Sequence, residues 1–264
     1  YQGSCYTQSL ICSFLITFSN HVPDRLFAMI VYTIFRMHYR KYIIPVYEGH
    51  ESRRDDYCAS SFIVCINRKH YLITAKHVFY DLEKDAPVLY EDSFLYFGCK
   101  PSVVDISKAI MSPKIGDDYI IIPIDDKEVS EIVGNNFTPI PVSKIDLSGV
   151  LRKSMFLCHG FPETRNRNPK ELREDDALIG VLADTDIENC IWIRFNKKRV
   201  VTPNWTIGES VNTPGMSGGP VWQLFIGNEV NWILKGLFTG YYKNKKQLRG
   251  EWIHKVLAQI GTNQ

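Results

Sequence analysis

"NTPGMSGGPVW" occupies residues 212–222. Gly215, Gly218, Gly219 and Pro220 crowd around one hydroxyl, that of Ser217. So constrained a stretch is either a tight turn with an incidental serine or a backbone held so that the serine can react. The residues on either side of Ser217 separate the two, and with them the fold.

Gly215-x-Ser217-x-Gly219 has the spacing of a nucleophile elbow, in which the serine sits on a sharp turn from strand into helix. An elbow also needs an acidic residue and then a histidine downstream. Here Ser217 is followed by Gly-Gly-Pro, all poor helix formers, and then by the strand-like "VWQLF". No aspartate lies downstream of it; Glu229 and His254 could complete that order, but His254 falls inside a helical pattern. The elbow is therefore disfavoured. The other catalytic order is His, then Asp, then Ser. "LITAKHVF" places His77 just past a strand end, and "IGDDYIIIPI" places an aspartate at the mouth of an apolar strand.

Read together, these stretches resemble the trypsin-like, chymotrypsin-fold serine peptidases, in particular their disulfide-free bacterial branch. "TAKH" (74–77) resembles that family's Thr-Ala-x-His, and "GMSGGP" (215–220) its Gly-x-Ser-Gly-Gly-Pro. "DYIIIPI" (118–124) resembles its aspartate followed by an apolar run, and "HGFP" (159–162) the corner that opens its second barrel. The resemblance spans roughly residues 43–262. It implies an all-β fold of two six-stranded antiparallel β-barrels with a C-terminal α-helix, and a serine endopeptidase acting on a polypeptide.

Carried over residue by residue, the resemblance makes Ser217 the nucleophile and His77 its base. Asp118 orients the imidazole, and the backbone N–H groups of Gly215 and Ser217 form the oxyanion hole. Gly218 and Gly219 are expected to keep side chains clear of a neighbouring strand and the histidine. Asp118 is preferred to Asp117 because four apolar residues, Pro123 and Ile124 follow it directly. Asp117 is then a turn or capping residue. The substrate pocket is expected to involve Val211, Met216, Phe238, Thr239 and Gly240. Val211 stands six residues before the serine, where trypsins carry an acidic pocket base. A neutral pocket implies a small or apolar residue before the cut, and a peptide panel led by arginine would contradict this. Met216 replaces the aspartate that pairs with a new N-terminus in zymogen-activated trypsins, so that activation route is not expected.

The 264 residues can bury a full core, and 45% hydrophobic with 23% charged residues is ordinary for a globular chain. A net charge of +2 gives no reason to expect nucleic acid or a membrane surface. The seven cysteines, Cys5, Cys12, Cys58, Cys65, Cys99, Cys158 and Cys190, are odd in number, widely spaced and free of any CxxC pair. That argues against a disulfide framework and a metal site, and for a reducing, cytoplasmic compartment. No cofactor is expected.

Residues 1–40 form an N-terminal apolar segment with two short runs, at 9–18 and 26–35. Each is about half the length of a membrane span. A packed helix or hairpin, a membrane-surface anchor, and sequence foreign to the native protein all remain open. Membrane contact is not favoured, and Met29 or Met37 could be the true start, which would make residues 1–36 dispensable.

Strands are expected in "KYIIPVYEG", on both sides of Asn67–Arg68–Lys69, and in "SFLYFGC" and "YIIIPI". A Pro- and Asn-rich stretch at 135–150 suggests a division into 41–140, carrying His77 and Asp118, and 141–264, carrying Ser217. Further strands are expected in "SMFLCHGFP", "ALIGVLADTD", "CIWIRFNKK", "GPVWQLF" and "VNWILKGLFTGYY", with a loop at 163–176. "EWIHKVLAQIG" has helical periodicity from Trp252 to Ile260. The rival from another class is a protease-like fold used only for binding or sensing.

Overall fold

The structure, a computed structural model, describes residue 35 and residues 38–50, 53–81, 86–87, 94–97, 104, 106–112, 114, 116–134, 136–148, 155–162, 177–182, 185–186, 190–194, 213–226 and 230–262. The first half contains β1 (Ile44–His50), β2 (Arg53–Ile66), β3 (Lys69–Thr74), β4 (Tyr80–Asp81), β5 (Ala86–Pro87), β6 (Phe94–Phe97), β7 (Ile110–Met111), β8 (Ile120–Ile124), helix α1 (Asp126–Val133) and β9 (Ile140–Pro141). The second contains β10 (Met155–Gly160), β11 (Ala177–Leu182), β12 (Thr185–Asp186), β13 (Ile191–Arg194), β14 (Pro220–Ile226), β15 (Val230–Tyr242), β16 (Gln247–Trp252) and helix α2 (Ile253–Thr262).

Seven strands form the first sheet, in the order β6-β1-β2-β3-β8-β7 with β9 added parallel to β2. Seven more form the second, in the order β11-β10-β14-β15-β16-β13-β12. The two sheets correspond to the two expected antiparallel barrels, each with seven strands instead of six; among the described residues, neither sheet closes on itself. The all-β architecture and the terminal helix agree with the expectation.

Local chemistry accounts for the elements. β2 turns into β3 through Asn67 and Arg68, both in the left-handed region at φ 50° and 65°. A two-residue hairpin turn of this kind matches the twist of its strands. β8, "IIIPI", is apolar on both faces because it is buried almost throughout, with only Pro123 partly exposed.

Two elements differ from the sequence expectation. The acidic stretch after β8 forms α1, started by a capping box in which Asp125 and Glu128 exchange side-chain and backbone bonds of 2.8 Å each. Residues 247–252 form β16, so Trp252 ends a strand and α2 begins only at Ile253. β16 lies between β15 and β13, and this pairing overrides the helical periodicity of "EWIHKVL" at its start.

The main core is shared by both sheets. Phe62, Tyr71 and Ile121 of the first meet Trp222, Leu234 and Leu237 of the second, and α2 adds Ile253, Val256 and Ile260. The stretch between the halves is pinned to β15. The Asp146 N–H donates to the Leu234 carbonyl at 3.1 Å, and the fully buried Lys235 donates to the Asp146 carboxylate. Burial would push that carboxyl up, but Lys235 and Ser148 hold it below its ordinary range.

Phe35 is also fully buried in this core. It stacks on Tyr39 with centroids 4.7 Å apart and meets Trp232 and Trp222 edge-on at 5.2 and 6.0 Å. Phe35 thus packs into the core from the segment 1–36 that was expected to be dispensable; the readings of residues 1–34 fall outside the described residues. Phe35→Ala should lower unfolding free energy by about 3–5 kcal/mol. Denaturant titration measures it, and a loss below about 1 kcal/mol would remove Phe35 from the core.

Candidate active site

The pairing of β3 with β8 builds the first half of the site. Thr74, the last residue of β3, lies opposite Ile120, the first of β8. The chain running out past Thr74 and the chain running in to Ile120 therefore lie side by side. Lys76–Val78 form one turn of 3-10 helix that presents His77 to this junction.

The Asp118 carboxylate holds His77 with both oxygens. Oδ1 accepts the His77 backbone N–H at 3.0 Å, and Oδ2 lies 2.7 Å from Nδ1 of the ring. Asp118 is 4% exposed, whereas the His77 side chain is 36% exposed, so the carboxylate is shielded and the far ring edge faces outward. Asp117 points elsewhere: its Oδ2 accepts from the Ser112 hydroxyl at 2.6 Å, and its N–H donates to Lys114 O at 3.2 Å. Those are the bonds of a turn residue.

The second half of the site is the loop 213–219 that leads into β14. Gly215 and Gly218 have φ of +88° and +85°, values an L side chain rarely adopts. The Met216 N–H donates to Thr213 O and the Gly219 N–H to Met216 O, both at 3.0 Å. Two bonds of 2.7 Å, from Gly218 N–H to Phe238 O and from Phe238 N–H to Gly219 O, tie the loop to β15. A Cβ on Gly218 would lie 2.1 Å from both Ser60 O and Thr74 Oγ1. One on Gly219 would lie 2.0 Å from His159 O. The glycines therefore clear β2, β3 and the His159 carbonyl. Pro220 opens β14, where a missing N–H is tolerated.

The loop packs against the end of β3, since Gly218 also approaches Ala75 N, two residues before His77. Ser217 is 8% exposed there. Among the described residues, no hydrogen bond joins its hydroxyl to the His77 ring.

The expected pocket residues separate. Val211 falls outside the described residues. Met216 and Phe238 are fully buried in a core with Phe156, Ile191 and Trp252. Met216 fills the space beside Gly160, where a Cβ would lie 2.7 Å from its own. Thr239 sits at a bulge of β15 opposite β16, with Gly240 the next paired residue.

Two further groups shape the site without having been anticipated. Arg249 on β16 donates through Nη2 to Gly116 O at 2.6 Å and to Glu251 at 2.7 Å, and through Nε to Cys190 Sγ at 3.4 Å. It thereby ties the second sheet to the turn that carries Asp118. Glu251 is fully buried; burial pushes its carboxyl up, Arg249 pulls it down, and Asp117 and Asp118 push it up again. The other group is Ser60 on β2, whose hydroxyl reaches the Ser217 loop. The only sequence signal for it is a pair of small hydroxyl residues, Ser60–Ser61, opening an apolar run.

Cys65, Cys158 and Cys190 are free thiols, and burial pushes Cys158 up to about 12, which makes it inert. Among the described residues no three metal-ligating side chains cluster, and no helix is long and apolar enough to cross a membrane.

No family model matches the sequence, and no match was found among curated proteins. Solved structures do align with the chain. A Glu endopeptidase, determined in complex with MPD, aligns with TM-score 0.52 and 14% identity over 87% of this chain and 93% of its own. Rv3671c from M. tuberculosis H37Rv, in an inactive serine-to-alanine mutant form, aligns at 0.46 with 12% identity over 86% of this chain and 88% of that one. The inactive form of Rv3671c protease aligns at 0.47 with 12% identity over 88% and 94%. With two mostly antiparallel sheets, a terminal helix and the alignment to the endopeptidase, the chain has the trypsin-like, chymotrypsin-type peptidase fold.

Proposed function

We propose that the protein is a serine endopeptidase that cleaves polypeptides through Ser217, His77 and Asp118. The observation that carries this reading is the two-point grip of Asp118 on His77, beside a loop whose left-handed glycines hold Ser217. A carboxylate at 2.7 Å from Nδ1 fixes the proton on that nitrogen and leaves Nε2 as a base.

In the proposed reaction the Ser217 hydroxyl attacks the carbonyl carbon of the scissile bond while His77 Nε2 takes its proton. The N–H groups of Gly215 and Ser217 hold the oxyanion of the tetrahedral intermediate. Its collapse breaks the C–N bond, and His77 returns the proton to the departing amine. Water, deprotonated by the same imidazole, then releases the acyl group from Ser217. The imidazolium formed in each half-reaction is stabilised by the shielded Asp118 carboxylate.

One observation favours the second reading, a binding or sensing module: the absent Ser217–His77 bond. Such bonds are often long in unliganded sites and tighten with substrate. A fluorophosphonate probe separates the two readings. A peptidase should react at Ser217 and lose the reaction in His77→Ala. No reaction in the wild type would favour the binding module.

A further inference from the structure

We infer that Ser60 is a positioning residue for the reaction, holding the Ser217 loop from the opposite sheet in the shape that aims the oxyanion donors. This inference rests on the peptidase reading. Ser60 belongs to β2, yet it reaches two separate segments of the second half. Its backbone N–H donates to Ser217 O at 2.8 Å, and its hydroxyl donates to Gly215 O at 2.9 Å. The same hydroxyl accepts the Phe161 N–H at 3.0 Å, from the corner after β10. Its carbonyl accepts the Thr74 hydroxyl at 2.7 Å, three residues before His77. The side chain is fully buried, so water cannot take over any of these bonds.

The consequence for the loop comes from peptide planarity. An N–H direction is fixed once the plane of its peptide is fixed. The 215–216 peptide is held at its oxygen by Ser60 Oγ and at its nitrogen by Thr213 O. The 217–218 peptide is held at its oxygen by Ser60 N–H and at its nitrogen by Phe238 O. The 216–217 peptide between them, which carries the Ser217 N–H, is held at its oxygen by Gly219 N–H. Ser60 thus anchors the planes on both sides of the one that aims the Ser217 donor. Its side-chain anchor also acts on Gly215, a residue at φ +88° with no Cβ to restrict it. The requirement is for a group that donates and accepts at once in a small buried space. A hydroxyl does this; a methyl does neither.

Ser61 supplies the internal control. It is the next residue on β2, is equally buried, and donates its hydroxyl to Ile44 O at 3.1 Å within the first sheet only. Ser60→Ala and Ser61→Ala both delete one buried hydroxyl of β2. Steady-state cleavage of a peptide substrate and affinity for a peptide boronate, which forms the tetrahedral adduct on serine, should separate them. Ser60→Ala should lower kcat by about 10–100-fold with KM little changed and weaken the boronate by a similar factor. Ser61→Ala should leave both near wild type at a temperature below its melting midpoint. If Ser60→Ala does not fold, the nearly isosteric Ser60→Cys, with its weak donor and acceptor, takes its place in the same comparison. Equal effects at the two positions, or a Ser60 effect confined to melting temperature, would overturn the inference while leaving the peptidase reading intact. A wild type that neither cleaves peptide nor reacts with fluorophosphonate would overturn the peptidase reading, and this inference with it.

Discussion

Ser217→Ala should abolish fluorophosphonate labelling and lower peptide cleavage by a factor on the order of 10⁶, with the fold unchanged. The size reflects the loss of the attacking atom: without Oγ no acyl-enzyme forms, and only the oxyanion donors and substrate binding remain to speed hydrolysis. Retention of the fold is expected from how Ser217 is held. Its structural bond is made by its carbonyl, which accepts the Ser60 N–H at 2.8 Å. The hydroxyl makes no hydrogen bond within the protein among the described residues, so deleting it leaves no buried partner stranded. Melting temperature and activity should therefore part company. A variant that keeps more than about a hundredth of wild-type turnover would remove Ser217 as nucleophile.

Asp118→Asn should cost about 10⁴-fold in kcat, again with little change in stability. Asparagine keeps the carbonyl that accepts the His77 backbone N–H, the bond of 3.0 Å that shapes the turn. The other oxygen, 2.7 Å from Nδ1, becomes an N–H₂ group or must turn away. An amide donor there forces Nδ1 to accept, which moves the ring proton to Nε2. That tautomer cannot take a proton from Ser217. Asp117→Asn is the matched control. It keeps an acceptor for the Ser112 hydroxyl and touches no ring, so turnover should stay within a few-fold of wild type. Equal losses at the two positions would undo the assignment of Asp118 as the orienting carboxylate.

Much of this site was legible in the chain because short-range chemistry marks it. A serine between closely spaced glycines, a histidine past a strand end and an aspartate before an apolar strand each leave a local pattern. The choice between Asp117 and Asp118 rested on such a pattern, and in the fold it is Asp118 that faces His77. Local patterns also misled. Periodicity carried the last helix back to Trp252, although strand pairing claims that residue for β16. The α1 capping box, Asp125 with Glu128, is also a local signal, since both partners lie within four residues of each other. The resemblance alone places Met216 and Phe238 beside a pocket, and it is the fold that shows both side chains fully buried.

By itself, the sequence determined the fold class, the chain order of the candidate residues His77, Asp118 and Ser217, and the glycine loop around Ser217, because backbone conformation and hydrophobic periodicity are local properties. Tertiary structure alone decided that Phe35 is core, that Arg249 clamps the turn before Asp118, and that Ser60 grips the Ser217 loop. Each of those contacts joins distant parts of the chain, and Ser60 and Gly215 are separated by 155 positions. No window of sequence contains both partners, and only the packing of one sheet against the other brings them within hydrogen-bond reach.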